Sequence, residues 1–372
     1  MKINNWISNV VRMQISRSSR EPNKRYDCAE RTLNFEQKLY DEFLKSLTQE
    51  DFITYPSYKQ YWDIKERIAD LHNEYDGSNF SRENVYIDAG SDACIKSLIQ
   101  ITCQEGSEIV SSFPCFPMYF VYGETFGAKF TPVKYDENLN FELESIMDSI
   151  SPETRLVILT NPNSPYGDYR TPADIEKLCK YTQDKKLILL IDEAYADFAP
   201  DNCVKLVQKY DNVVVSRTFS KGWGGAGTRV GYLLGNKNLI ENVSKVGLTY
   251  PITGPSLKFV NFLLDNTTDI KDYISKTIVE RNNLCDALEA ANFDVVRSHT
   301  NTIHFHEQNG DNTKPIEILQ KHGISFKCGQ HKTGTAVRVP GDKRETWIRL
   351  SIGPNMLESE FVKDLLLQRG IK

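Results

Sequence analysis

The 372-residue chain is 40% hydrophobic and 26% charged, an ordinary globular composition at a length that suits two domains. A net charge of −5 argues against nucleic acid or an anionic membrane as the main partner. Eight irregularly spaced cysteines form no CxxC pair or metal-finger pattern, so a metal-free, cytoplasmic protein is expected, with thiols such as Cys94, Cys103, Cys179 and Cys285 reduced in its core.

The N-terminal MKINNWISNVVRM lacks the continuous apolar core and cleavage site of a signal peptide, and no later apolar run is long enough to span a bilayer. Short β-branched runs then recur at 85–89, 108–112, 129–135, 155–160, 187–192, 213–216 and 229–234. Helical patterns fall between them at 92–103, 118–125, 143–150, 172–183 and 204–209. Runs such as LVILT and LILLID are apolar on both faces, as in strands buried within a parallel sheet. The alternation predicts an α/β fold: a large domain over 45–260 with a mostly parallel seven-stranded sheet between helices. Beyond it, a long helical pattern from Ile270 leads to strands near 302–306, 324–327 and 347–351 and a last helix at 358–368. These predict a smaller α+β domain over 261–372, joined by an N-terminal arm, 1–44. The segment GQHKTGTAVRVPGDKRE, which includes the loop at 334–343, reads as a surface loop or hairpin.

Ligands of open parallel sheets bind beyond the carboxyl ends of the strands, where this chain reads DAGSD, SFPCFP, NPNSPYG, DEAY and SRTFSK. Lys221 lies in SKGWGGAGTR, with four glycines in six residues that let backbone approach a ligand closely. Desolvated there, its amine could form an imine with a carbonyl compound. Asp192 ends an apolar strand and needs a buried partner, one candidate being the protonated nitrogen of a pyridine ring. Gly90, Ser91 and Asp92 open a helix whose N–H groups suit a phosphate, and Thr218, Ser220 and Arg229 could add donors. Together these describe a phosphorylated aldehyde held by a lysine. The six histidines are scattered. His304 and His306 share a strand face but have no third metal ligand at a suitable spacing, and Trp223 reads as a packing or substrate-mouth aromatic.

The segments YDCAER, TYPSY, AGSD, PCFPMY, NPNSPYG, DEAY, SRTFSKGWGGAGTRVGY and WIRLSIG, in this order, resemble fold-type I pyridoxal 5'-phosphate (PLP) enzymes of the class I/II aminotransferases. The likeness is to the branch holding histidinol-phosphate aminotransferases and threonine-phosphate decarboxylases. It implies Lys221 as the Schiff-base lysine and proton shuttle, Asp192 as partner of the ring nitrogen, and Tyr195 as partner of the cofactor's 3'-oxygen. It also implies Phe116 stacked on the ring, Ser164 near the 3'-oxygen, Asn161 as a further cofactor contact, and a phosphate cup of Ser91, Asp92, Thr218, Ser220 and Arg229. Tyr55 would reach the phosphate of a neighbouring subunit, making a homodimer. Arg349 would bind the substrate carboxylate, with Lys327, Glu30 and Tyr166 also facing substrate.

Several positions depart from the family pattern. Ser164 replaces an asparagine, Phe116 a tyrosine, Tyr166 a threonine and Lys327 an arginine. A lysine is a point charge where the arginine offers a fork, which argues against a faithful histidinol-phosphate enzyme and for another small anionic substrate. The activity implied is transfer of an amino group from L-glutamate to a small, phosphorylated or otherwise anionic carbonyl compound. The alternatives are decarboxylation of a phosphorylated amino acid and a non-catalytic binding module, the latter opposed by the retained Lys221, Asp192, Tyr195 and Arg229.

Overall fold

A computed structural model describes residues 4–10, 24–136, 139–308, 310–328 and 347–367. The segment GQHKTGTAVRVPGDKRE and the loop at 334–343 lie outside these residues. All seven expected strands form: β1 (Val85–Asp88), β2 (Glu108–Phe113), β3 (Lys129–Lys134), β4 (Thr154–Thr160), β5 (Ile188–Asp192), β6 (Val213–Thr218) and β7 (Gly231–Leu234). Their order in one sheet is β1-β7-β6-β5-β4-β2-β3. The pairs among β3, β2, β4, β5 and β6 are parallel, and only β7 runs against its neighbours β6 and β1. Every residue of β1, β2 and β7 is buried, as helices on both faces require. The edge strand β3 has exposed ends and tolerates Pro132, whose missing N–H an interior strand would need.

The strand expected from Arg229 begins two residues later, because Arg229 closes a 3-10 turn in the left-handed region, at φ 54°. The helix expected at 92–103 spans Gly90–Thr102, and the one expected at 143–150 stops at Asp148. Before the sheet, helix Tyr58–Asp76 starts at a reciprocal Ser57/Gln60 capping box and ends at Gly77 with φ 61°.

The second sheet is antiparallel throughout, in the order β10-β11-β9-β8. Its strands are β8 (Phe293–Val296), β9 (Thr302–Glu307), β10 (Lys327–Cys328) and β11 (Ile348–Ser351). Helices Thr267–Ala290 and Glu360–Leu367 cover it, burying Leu284, Leu288, Phe305, Ile348, Leu350 and Phe361 in one core. β8 escapes a reading by period: four residues after a tight turn at Asn292 (φ 59°) are too few to show one. The residues after Lys24 run along this sheet, with Arg25 bridging Ser325 and Tyr26 exchanging backbone bonds with Ser325 and Ser351. That path takes the N-terminal segment across the gap between the two sheets.

Candidate active site

Two antiparallel steps through β7 leave β1 pointing the same way as β2, β4, β5 and β6. The five chemistry-bearing loops therefore leave one edge of the sheet, and β7 enters from that edge. Register fixes the neighbours: Thr160 lies beside Asp192, Asp192 beside Ser216, and Gly231 between Thr218 and Asp88.

Asp192 is buried, and burial pushes its carboxyl pKa up. Three donors work against that rise. Tyr119 Oη donates to Oδ2 at 2.5 Å, Ser216 Oγ to Oδ1 at 2.7 Å, and the Ala194 N–H to Oδ1 at 3.1 Å. Phe116, half-buried, meets the Tyr119 ring edge-on at 5.6 Å. The carboxylate thus keeps acceptor capacity on Oδ2 for one further cationic donor.

Lys221 donates to the Cys28 carbonyl at 3.0 Å and lies 5.4 Å from the centre of the Tyr195 ring. Burial raises the Tyr195 phenol, but the Lys221 and Arg349 cations and a hydrogen bond with Ser164 outweigh it, leaving the pKa below the ordinary value. Arg217, largely buried, lies between Glu193 (3.5 Å) and Asp197 (3.7 Å). Asp197 also bonds Trp223, and a Cβ on Gly222 would lie 2.6 Å from its Oδ2. One buried ion cluster therefore ties the Tyr195 loop to the Lys221 loop, with Trp223 as a structural link between them.

At the start of helix Gly90–Thr102 the Arg229 guanidinium closes over Gly90, where a Cβ would come within 2.6 Å of Nη2. Gly231 is tighter still, since its Cβ would sit 2.1 Å from the Ser91 nitrogen. Ser220 Oγ lies 3.5 Å from Arg229 Nη1, and the Thr218 hydroxyl accepts from the Ser220 N–H at 3.1 Å. Helix N–H groups, two hydroxyls and a guanidinium gather here, as a phosphate dianion needs. Asp92 takes part through its backbone, for its side chain accepts from Tyr122 at 2.9 Å.

Arg349 on β11 stands directly opposite Lys327 on β10. Its Nη2 donates to the Asp27 carbonyl at 3.0 Å, while its buried Nε has no partner among the described residues. Burial, with Arg349 and then Lys221 nearby, lowers the Lys327 pKa to about 8.

Other expected residues stand elsewhere. Glu30 pairs with Arg25. The Asn161 amide is bound to the Arg170 backbone, donating at 3.0 Å and accepting at 2.8 Å, so it shapes the loop. Tyr166 is buried against Tyr135 and His304, one layer behind Arg349. Tyr55 is 77% exposed and stacks on Tyr250 at 4.5 Å. Sequence reasoning missed Tyr119, Arg217 and the carbonyls of Asp27 and Cys28. Tyr119 could have been found, because it follows Phe116 by three residues across the turn that opens a helix. A backbone carbonyl leaves no mark on sequence.

A sequence profile of the family described as aminotransferase class I and II matches residues 26–363, and the chain belongs to that family. It is a PLP-dependent aminotransferase of fold type I, as its motifs implied. It is similar to the histidinol-phosphate aminotransferase of Clostridium novyi, at 27% identity over 303 residues, 81% of this chain and 82% of that protein. The aromatic amino acid aminotransferase of Mycolicibacterium smegmatis is 30% identical, over 72% of this chain and 76% of its own. Among solved structures, histidinol-phosphate aminotransferase from Sinorhizobium meliloti in complex with pyridoxal-5'-phosphate superposes with a TM-score of 0.77 at 20% identity, covering 93% of this chain and 90% of that one.

Proposed function

We propose that the enzyme moves an amino group from L-glutamate to a small carbonyl compound bearing a second acidic group, a carboxylate or a phosphate. One observation carries this reading. Lys327 and Arg349 face each other across an antiparallel pair, about 5 Å apart at Cβ, with Lys221 nearby. Among the described residues none of the three is in an ion pair, so the cluster is incomplete without an anion. A substrate with one carboxylate satisfies Arg349 and leaves Lys327 facing it.

The other residues suit the cofactor. The helix start at Ser91 and Asp92, with Thr218, Ser220 and Arg229, would hold its phosphate. Asp192 would pair with the ring nitrogen, Phe116 would cover the ring face, and Tyr195 with Ser164 would hold the 3'-oxygen. Bound there, PLP supplies an aldehyde carbon and an electron-withdrawing ring. Lys221 provides the amine that anchors the cofactor and carries the proton to and from the substrate Cα. Arg349 orients the donor carboxylate. Exposed Phe52, Ile53, Tyr55, Tyr58 and Leu248 form an apolar surface suited to a second copy of the chain, with Tyr55 extended towards the partner's site. The eight free cysteines support a cytoplasmic setting. No observation favours the decarboxylase.

The test mixes holoenzyme with L-glutamate and measures 2-oxoglutarate release together with loss of the cofactor's visible band. Acceptors with and without a second acidic group are then compared. Absence of 2-oxoglutarate overturns the donor. Equal turnover of neutral and acidic acceptors overturns the proposed role of Lys327.

A further inference from the structure

Asp192 is the buried acid at this edge that the cofactor's ring nitrogen would pair with. What keeps Asp192 charged is less obvious. Asp192 is buried, and burial alone drives a carboxyl towards the neutral acid. A neutral acid would offer the ring nitrogen a weak partner in place of an anion.

The three donors differ in kind. Ser216 and the Ala194 N–H both reach Oδ1, and belong to the neighbouring strand and to the loop that follows Asp192 itself. Tyr119 alone reaches Oδ2, from a separate helix, Met118–Thr125. Its hydroxyl also lies 2.9 Å from Thr160 Oγ1. An ionised carboxylate only accepts, so the tyrosine proton points to Asp192 and the Thr160 hydroxyl donates to the tyrosine. Thr160 lies beside Asp192 in the sheet, so the chain Thr160–Tyr119–Asp192 is a closed, fully buried relay of hydroxyl dipoles aimed at one oxygen. Tyr119 has no exposed surface. Phe116, which would cover the cofactor ring, lies just before helix Met118–Thr125 and meets Tyr119 edge-on.

We propose that Tyr119 is a positioning residue: its hydroxyl holds Asp192 ionised and turned towards the cofactor's ring nitrogen, and so sets how strongly the nitrogen is kept protonated. This rests on the reading of Asp192 as the nitrogen's partner. It assigns to Tyr119 a role separate from packing, since the ring already fills its space without the hydroxyl.

The experiment compares wild type with Tyr119→Phe, which keeps the ring, and measures equilibrium affinity of cofactor-stripped protein for two probes. One is pyridoxamine 5'-phosphate, which forms no bond to Lys221. The other is its 1-deaza analogue, in which carbon replaces the ring nitrogen. Loss of a hydrogen bond to a charged group predicts affinity for the first probe weakened about tenfold or more. Affinity for the deaza probe should be unchanged. Equal weakening for both probes means that the residue only packs, and overturns the proposal, as does unchanged affinity for both. If wild type itself fails to prefer the nitrogen probe, the reading of Asp192 fails and not the role of Tyr119 within it. Should Tyr119→Phe fail to fold, Thr160→Val removes the outer hydroxyl of the relay. It must then give a smaller weakening confined to the nitrogen probe, and no such difference counts against the proposal.

Discussion

Replacing Lys327 by methionine should make the cofactor-free protein more stable and the enzyme worse. The ammonium sits opposite Arg349 in the β10–β11 pair, and burial is the largest cause of its lowered pKa. Arg349 and Lys221 lower it further, while Cys28 and Asp27 pull the other way, and the balance takes it from 10.5 to about 8. A group that binds its proton more weakly when folded costs stability at every pH below the folded value. Between that value and the unfolded one, the unfolded chain carries the extra proton, so stability rises with pH. A displacement of this size corresponds to about 3 kcal/mol at pH 7, falling below about 1 kcal/mol by pH 10. Lys327→Met removes the cost and keeps most of the side-chain volume. The melting midpoint of cofactor-free protein should therefore rise at pH 7, and the gap to wild type should close towards pH 10. In kinetics the same variant loses a charge-assisted contact, so KM for an acidic acceptor should rise about tenfold or more. In wild type, that KM should climb as pH passes about 8, and Lys327→Arg should delay the climb. A variant that melts lower than wild type at pH 7, or by the same margin at pH 7 and 10, would refute the reasoning.

Gly231→Ala should abolish cofactor retention, because the added carbon meets backbone atoms of Gly90 and Ser91 that no rotamer change can move; undiminished PLP binding by dialysed protein would contradict this. Arg349→Met should raise the Tyr195 phenol pKa by removing one of the two cations that oppose burial, read as phenolate absorbance against a Tyr195→Phe background. No upward movement would mean that the cation does not act on the phenol. Tyr166→Thr, which restores the common family residue, should cost about 3 kcal/mol by opening a cavity against Tyr135 and His304. KM values should change little, and a large change in acceptor preference would place the ring nearer the substrate than its burial indicates.

Those predictions divide along what a sequence can carry. The large sheet was legible because most of its strands are short apolar, largely β-branched runs ended by a turn, and because parallel order forces the loops after them to one edge. Asp192, Lys221 and Arg229 stand out there as charges beside apolar strands. Arg217 has the same signature but reads as one polar residue in VVVSRT; its pairing with Glu193 and Asp197 depends on which face of the sheet each occupies. Asn161 misled for the reverse reason. It lies in a motif associated with the cofactor, yet its amide closes the loop on Arg170. Tyr166 likewise lies in a cofactor-edge loop while its ring turns into the core.

The substrate end of the site is governed by less regular chain. The Asp27 and Cys28 carbonyls receive Arg349 and Lys221, and any residue could supply them. They are placed by backbone and side-chain bonds on the following and flanking residues: Tyr26 to Ser325 and Ser351, and Ala29 to Ser351 Oγ and Asn301. Lys327 is presented by a strand of two residues. Neither segment has a period to read, and neither contributes much to the core, so residues there can change without unsettling either sheet. The cofactor end is the opposite case, since Gly90, Gly231 and Arg229 are in contact and each limits what the others can be. On the proposed reading, an enzyme built this way would hold its chemistry fixed while the acid it accepts is reset by a few side chains on a short edge strand. A lysine at position 327, in place of the family's arginine, is a change of that kind.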